Sequence, residues 1–266
     1  MTRRRAKTVP CAAALLACLW SDAAAAEQGP AYALRLELDL PVLALASAAA
    51  AIPLFRAETA PPWCAPKCDP THINALDRPT AGVYRIGWSR VSDVAVGALV
   101  LTDVVAMFLD EGPVNALNDA VVVAQTILSA QSFAAWTSAA VRRPRPYAYG
   151  EDAPLDERQN PYAALSFFSG HTTTAFAAAV ALHRTLARRH PESIVPNVVL
   201  VSTLAVAGLV AAGRVASGNH FPSDVLVGAV VGSSTGVLVP ALHGPGMALA
   251  PFGGSDAAGL GLRGVW

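Results

Sequence analysis

The sequence predicts an all-α, membrane-embedded bundle of five to six helices, and three observations carry that expectation. Only 14% of the 266 residues are charged, against about a quarter in an ordinary soluble domain. Hydrophobic residues make up 53% of the chain, with Ala, Val and Leu dominant and few aromatics. Apolar stretches of helical length recur at 91–109, 114–141, 172–186, 194–212 and 224–242. The mean hydropathy, +0.42, is high for a soluble enzyme and modest for a bundle exposed to lipid on every side. Acidic and basic residues cancel at 19 each. That balance argues against nucleic acid as a partner, which would call for a basic excess or stripe. It argues equally against a disordered chain, which combines low hydrophobicity with high net charge. No internal repeat is visible.

The N-terminus has the order of an export signal. Arg3, Arg4, Arg5 and Lys7 precede an apolar run over 9–20, and Ala24, Ala25 and Ala26 precede Glu27. The run is short for a membrane span, so residues 1–26 are expected to be a signal peptide cleaved near Ala26. An uncleaved anchor and lipidation at Cys18 are the alternatives. Cys11 and Cys18 fall in this leader, which leaves Cys64 and Cys68 as candidates for a small disulfide loop in an oxidising periplasm. Zinc fits less well, since His72 is the one further ligand type nearby.

Residues 27–90 read as a short helix and an exported loop. The apolar run 40–55 carries Pro41 and Pro53 near its ends and reads as a surface helix, giving five spans; if it crosses, there are six. The core, 91–242, opens with a helix carrying Asp93 and Asp103, and Asp103 in mid-segment needs a partner inside the bundle. An acidic turn at Asp110 and Glu111 leads to the helix over 114–141, with Asn115, Asn118 and Asp119 at its start. A polar loop fills 142–165. The residues 243–266 form a Gly-rich tail, read as flexible rather than as a strand. Arg184, Arg188, Arg189 and His190 lie between two apolar segments and favour the inner side of the membrane. Residues before 172 and after 212 then share the outer face. The expected location is a bacterial inner membrane with this face toward the periplasm. A soluble periplasmic protein is the alternative, motivated by Asp93, Asp103 and Asp119.

Three polar clusters interrupt the apolar pattern on that face. Arg142, Arg143 and Arg145-Pro146 close a long helix. Ser166 to His171 opens another. Arg214, His220 and Asp224 lead into the last. Arginine forks suit the oxygens of a phosphate. Ser169 and the N–H groups of Gly170 and His171 stand at a helix N-terminus, which attracts anions. A carboxylate four residues after His220 can accept an imidazole N–H and leave the other nitrogen as a nucleophile. His171 can protonate a leaving oxygen. Each feature alone has a plain structural explanation as a topology charge, a cap or a surface pair; their conjunction at three helix ends does not.

This conjunction resembles the type 2 phosphatidic acid phosphatase superfamily, which also includes bacterial acid phosphatases and vanadium haloperoxidases. The three-part signature of that family aligns as Ser138, six residues and Arg145-Pro146; Phe168-Ser169-Gly170-His171; and Gly213-Arg214, five residues, His220, three residues and Asp224. The resemblance implies a helical bundle that hydrolyses a phosphomonoester or diphosphate on a lipid, with no metal and no cofactor. It implies that His220 attacks phosphorus, Asp224 orients it and His171 acts as acid and then base. Arg145, Arg214, Ser169 and the Gly170 N–H would hold the phosphate oxygens. The family lysine is replaced by Ser138, so Arg142 or Arg143 is a candidate to supply the missing cation. Phe168 stands for proline and Gly213 for serine. A vanadate-dependent haloperoxidase and a non-catalytic phosphate-binding membrane protein are the competing readings. His183 and His190 are expected at an inner surface, His72 and His243 lack evident partners, and Trp63, Trp88 and Trp136 are candidate interface anchors.

Overall fold

The computed structural model describes residues 29–55, 61–244, 247–253 and 258–264. The leader, with Cys11 and Cys18, lies outside the described residues. Among the described residues six α-helices follow in order: α1 (Leu36–Phe55), α2 (Ile86–Val141), α3 (Leu155–Gln159), α4 (Gly170–Arg189), α5 (Val195–Ala216) and α6 (Pro222–Leu242). The bundle matches the helical architecture expected. The tail differs, since β1 (Met247–Gly253) and β2 (Ala258–Gly264) pair as an antiparallel hairpin.

Helix α2 is two helices joined at Gly112, whose φ of 72° is open to glycine but strained for other residues. Pro113 then starts the second half, a position where its missing N–H costs nothing. The chain reverses there, and each half crosses the bundle. The stretch Ile86–Tyr149 and helices α5 and α6 are long and apolar enough to cross a membrane. The outer helices present a belt of exposed apolar side chains, among them Leu45, Val94, Val201 and Val230.

Helix α4 runs through the centre. Among the described residues it exposes no large hydrophobic side chain, and Ala175, Ala177, Ala178, Ala179 and Ala181 are wholly buried. Small side chains let neighbouring helices approach closely. Gly228, Gly232 and Gly236 of α6 form the facing stripe, and a Cβ at Gly232 would lie 2.3 Å from the Thr173 carbonyl. This contact matters for the site because it aligns the first turns of α4 and α6. The Ser169 N–H donates to the Asp224 carbonyl at 3.2 Å.

The two ends of the bundle differ. At one end three loop segments are knitted together. Cys64 and Cys68 form a disulfide, the Cys68 N–H donates to Ala148 O, and the Gly82 and Arg85 N–H groups donate to Pro146 O and Ser217 O. Trp63, Trp88 and Trp136 are all exposed toward this end. At the far end Asp110 receives Arg189 Nε at 2.7 Å and His190 Nε2 at 2.6 Å. The acidic turn at Asp110 and Glu111 is thus matched by the basic end of α4.

The region before α2 departs from the surface helix expected. Asn118 Nδ2 donates to Tyr32 O, Gln125 Nε2 to Asp39 O and Ser132 Oγ to Ala46 O, each across 86 residues. A constant offset with steps of seven means that α1 lies parallel to the second half of α2, along its length. The chain around residue 32 is therefore at the far end, where the Asp119 carboxylate takes the Ala31 and Tyr32 N–H groups at 2.6 and 3.1 Å. His243, which the sequence left without a partner, meets Asp39 at 3.0 Å. Asp103 is buried with no hydrogen-bond partner among the described residues.

Candidate active site

The three clusters converge at the loop end. His220 sits in the short link between α5 and α6 and is 3% exposed. Its Nδ1 lies 2.7 Å from the Ser166 carbonyl. A carbonyl only accepts, so Nδ1 carries the proton and Nε2 keeps its lone pair. Burial, followed by the guanidinium groups of Arg145 and Arg214, holds the His220 imidazole well below its ordinary pKa. The ring is therefore neutral at neutral pH.

The sequence expected Asp224 to accept the imidazole proton directly. The structure places Asp224 Oδ2 3.9 Å from His220 Nδ1, beyond hydrogen-bond reach. Its oxygens are taken up by Ser166 Oγ at 2.5 Å, the Phe221 N–H at 2.8 Å and Arg143 Nη1 at 2.6 Å. The reason is local: a carboxylate in the first turn of a helix folds back to the unsatisfied N–H at the helix start. Ser166 bridges the gap, giving its hydroxyl to Asp224 and its carbonyl to His220.

The donors surround this nucleophile. Arg214 Nη1 reaches Asp93 Oδ1 at 2.9 Å and Ser89 Oγ at 3.3 Å. Arg145 Nη1 reaches Asn219 Oδ1 at 2.7 Å, and Asn219 Nδ2 links back to Ser89 Oγ at 3.2 Å. The Nε atoms of Arg145 and Arg214 are buried and have no protein acceptor among the described residues. Ser169 caps α4, its Oγ taking the Thr172 N–H and hydroxyl at 3.4 and 3.0 Å. Gly170 is held close to Gln131, where a Cβ would meet Oε1 at 3.0 Å. His171 Nε2 pairs with the same Asp93 oxygen at 3.0 Å. The side chains of His171 and Asp93 are 39% and 50% exposed, so they form the open rim while His220 forms the floor.

The structure thus brings together His220, His171, Asp224, Arg145, Arg214, Ser169 and Gly170. Arg143, a candidate phosphate ligand, is placed otherwise. Its fork is committed to Asp224 at 2.6 Å and Asp77 at 2.8 Å, and its plane lies 4.2 Å over the Phe221 ring. Arg142 ends α2 in a left-handed backbone conformation, with its N–H on Ser138 O. Ser138 gives its hydroxyl to Ala135 O. Sequence reasoning missed the roles of Asp77, Ser89, Ser166 and Asn219. Burial pushes the Asp77 carboxyl up, but hydrogen bonds from Arg143 and Ser223 more than reverse it, so it titrates below the ordinary range. Asp93 and Asp119 stood out as charges in apolar segments, and that anomaly was the signal that they had partners.

The three clusters thus lie together at one end of a helical bundle. A family model of the PAP2 superfamily matches residues 119–246. Two solved structures are similar. One is the crystal structure of Aquifex aeolicus LpxE, at 21% identity and TM-score 0.46, covering 64% of this chain and 97% of that one. The other is the first transmembrane PAP2 type phosphatidylglycerolphosphate phosphatase from Bacillus subtilis, at 19% identity and TM-score 0.44, covering 77% and 94%. A comparison with curated proteins finds no match.

Proposed function

We propose that the protein is a lipid phosphate phosphatase that works through a phosphohistidine. One observation carries this reading: among the described residues the buried Nε–H groups of Arg145 and Arg214 have no protein acceptor, beside a buried, neutral His220. Leaving charged donors unsatisfied in a protein interior is costly, and an oxyanion relieves it. His220 Nε2 attacks phosphorus, the bond to the leaving oxygen breaks, and His171 gives that oxygen a proton. Water then attacks the phosphohistidine, His171 takes the proton, and phosphate departs with His220 restored. Arg145, Arg214, Ser169 and the amides at the start of α4 hold charge that spreads over the equatorial oxygens. Asp93 steadies the protonated form of His171. The apolar belt and the tryptophans near the site favour a lipid substrate whose headgroup reaches the rim from the bilayer.

The test is phosphate release from detergent-solubilised protein given phosphatidic acid, prenyl diphosphates, phosphatidylglycerol phosphate and lipid A phosphates in turn. Release from at least one is expected, with an acid-labile phosphoprotein trapped on rapid quenching. A folded protein that releases phosphate from none of them would overturn the proposal.

The site end belongs outside, in this reading. Its disulfide suits an oxidising compartment, and Arg184, Arg188 and Arg189 at the far end suit the cytoplasm. Helix α1, at 20 residues, is about 30 Å long and serves as a first span. Because α1 runs from the far end to the site end, residue 29 lies on the cytoplasmic side. Cleavage of the leader on the outer side would require the opposite start, so the leader is retained and the bundle has six spans. Two single-cysteine chains test this in intact cells. A cysteine at residue 30 is expected to resist an impermeant maleimide and one at 152 to react, with a tag ahead of Met1 still attached. Loss of the tag in membrane-inserted protein, or labelling at residue 30, would restore the five-span alternative.

A further inference from the structure

We propose that Asp77 is a positioning residue for the nucleophile, an inference that rests on the phosphatase reading of the site. Asp77 belongs to none of the three clusters. It lies in the disulfide-bearing loop ahead of α2, and its side chain is fully buried. A buried carboxylate is tolerated only when its oxygens are well supplied with donors. Here it receives Asn74 Nδ2 at 2.7 Å, Arg143 Nη2 at 2.8 Å, Ser223 Oγ at 2.6 Å and the Ser223 N–H at 2.9 Å.

Two of these contacts fix the helix that begins beside the nucleophile. Helix α6 starts badly by its own sequence, because Phe221 has no side-chain acceptor and Pro222 has no N–H. The unsatisfied N–H of Ser223 is met by Asp77, across 146 residues. The Phe221 N–H is met by Asp224. The cap of this helix is therefore supplied partly by the loop.

The other contact continues to the imidazole. One arm of Arg143 is anchored by Asp77, which leaves the other arm on Asp224 and Ser223. Asp224 takes the Ser166 hydroxyl and Ser166 O takes His220 Nδ1–H. The links from Asp77 to Arg143, Asp224, Ser166 and His220 measure 2.8, 2.6, 2.5 and 2.7 Å. Asp77 thus sets the direction of the His220 Nε2 lone pair without touching the substrate. The loop keeps independent fastenings through Cys68 and Gly82, so neutralising Asp77 leaves it attached.

The experiment compares wild type, Asp77→Asn and Ser223→Ala as full chains in detergent, by calorimetric titration with orthovanadate and with inorganic phosphate. Vanadate accepts a fifth ligand and so reads the line of His220 Nε2; phosphate reads only the surrounding donors. Asp77→Asn is expected to weaken vanadate about tenfold and phosphate less than about twofold, with kcat about tenfold lower and KM within about twofold. Ser223→Ala removes one hydroxyl while keeping both charges, and is expected to show the same split at about threefold; it decides the matter if Asp77→Asn does not purify folded. Equal effects on the two anions, or none on either, would assign Asp77 a purely structural part and overturn the inference. A wild type that hydrolyses no lipid phosphate yet shows the vanadate split would sink the phosphatase reading and leave Asp77 in place.

Discussion

Replacing His220 with alanine is expected to cut phosphate release by about 10⁴-fold and to abolish the trapped phosphoprotein. The expectation follows from the floor of the site, where His220 is the buried group whose remaining lone pair faces no protein donor among the contacts described. Removing it takes away the bond-forming atom, whereas Arg145, Arg214 and the start of α4 still bind phosphate. KM is therefore expected to change far less than kcat. Undiminished turnover in a folded His220→Ala protein would sink the assignment of the nucleophile. The protonation state gives an independent check. The ring is held below its ordinary pKa first by burial and then by the two guanidinium groups. In protein labelled with ¹⁵N-histidine, the His220 signals are expected to stay those of a neutral ring as the pH falls from 7 past about 6.5, the unperturbed value. Protonation of His220 then costs activity only below that value. Protonation near the unperturbed value would mean that the ring is not buried beside the two guanidinium groups.

The second large effect is expected from a residue without any polar side chain. Gly218 holds φ at 79°, and a Cβ there would stand 1.8 Å from the Val83 carbonyl oxygen. Alanine at this position meets rigid backbone, so either the 213–221 link or the loop before α2 must move. A left-handed conformation alone costs about 1–3 kcal/mol in a residue with a side chain, and the clash adds to it. The link that would shift carries Asn219 and His220, and Gly218 O also accepts the Tyr147 N–H at 3.3 Å. Gly218→Ala is expected to lower the melting temperature by about 5 °C or more and to leave little phosphatase activity in whatever folds. Gly208→Ala serves as the control, since a Cβ there meets nothing within 4 Å. Similar stability for the two variants would show that the Gly218 contact is not as tight as drawn.

Much of the site was readable because short-range rules carry it. Ser169-Gly170-His171 states a capped helix start with amides free for an anion, and Arg214 with His220 and Asp224 states a link into another helix start. Those features depend on neighbours a few residues away. The break between 109 and 114, read as a turn at Asp110 and Glu111, was legible for the same reason. The errors came where a residue has a choice of partners. Asp224 looked like the partner of His220 because they are four apart, yet its carboxylate turns to the N–H at the start of its own helix and to Arg143. Arg143 looked like a phosphate ligand because it adjoins Arg145, yet two buried carboxylates claim it. The run at 40–55 was read as a surface helix, but α1 begins earlier, at Leu36, and lies along the second half of α2.

The sequence alone determined the helical class, the apolar belt and the chemistry offered at three helix ends, because each follows from residue type and local spacing. Tertiary structure decided which carboxylate serves which cation and in which direction α1 runs. The pairs Arg143–Asp77, Arg214–Asp93 and Ser223–Asp77 join residues 66, 121 and 146 positions apart. No periodicity encodes such pairs; they form when helix packing brings the loop end together and buried charges must be satisfied by whatever donors the fold delivers.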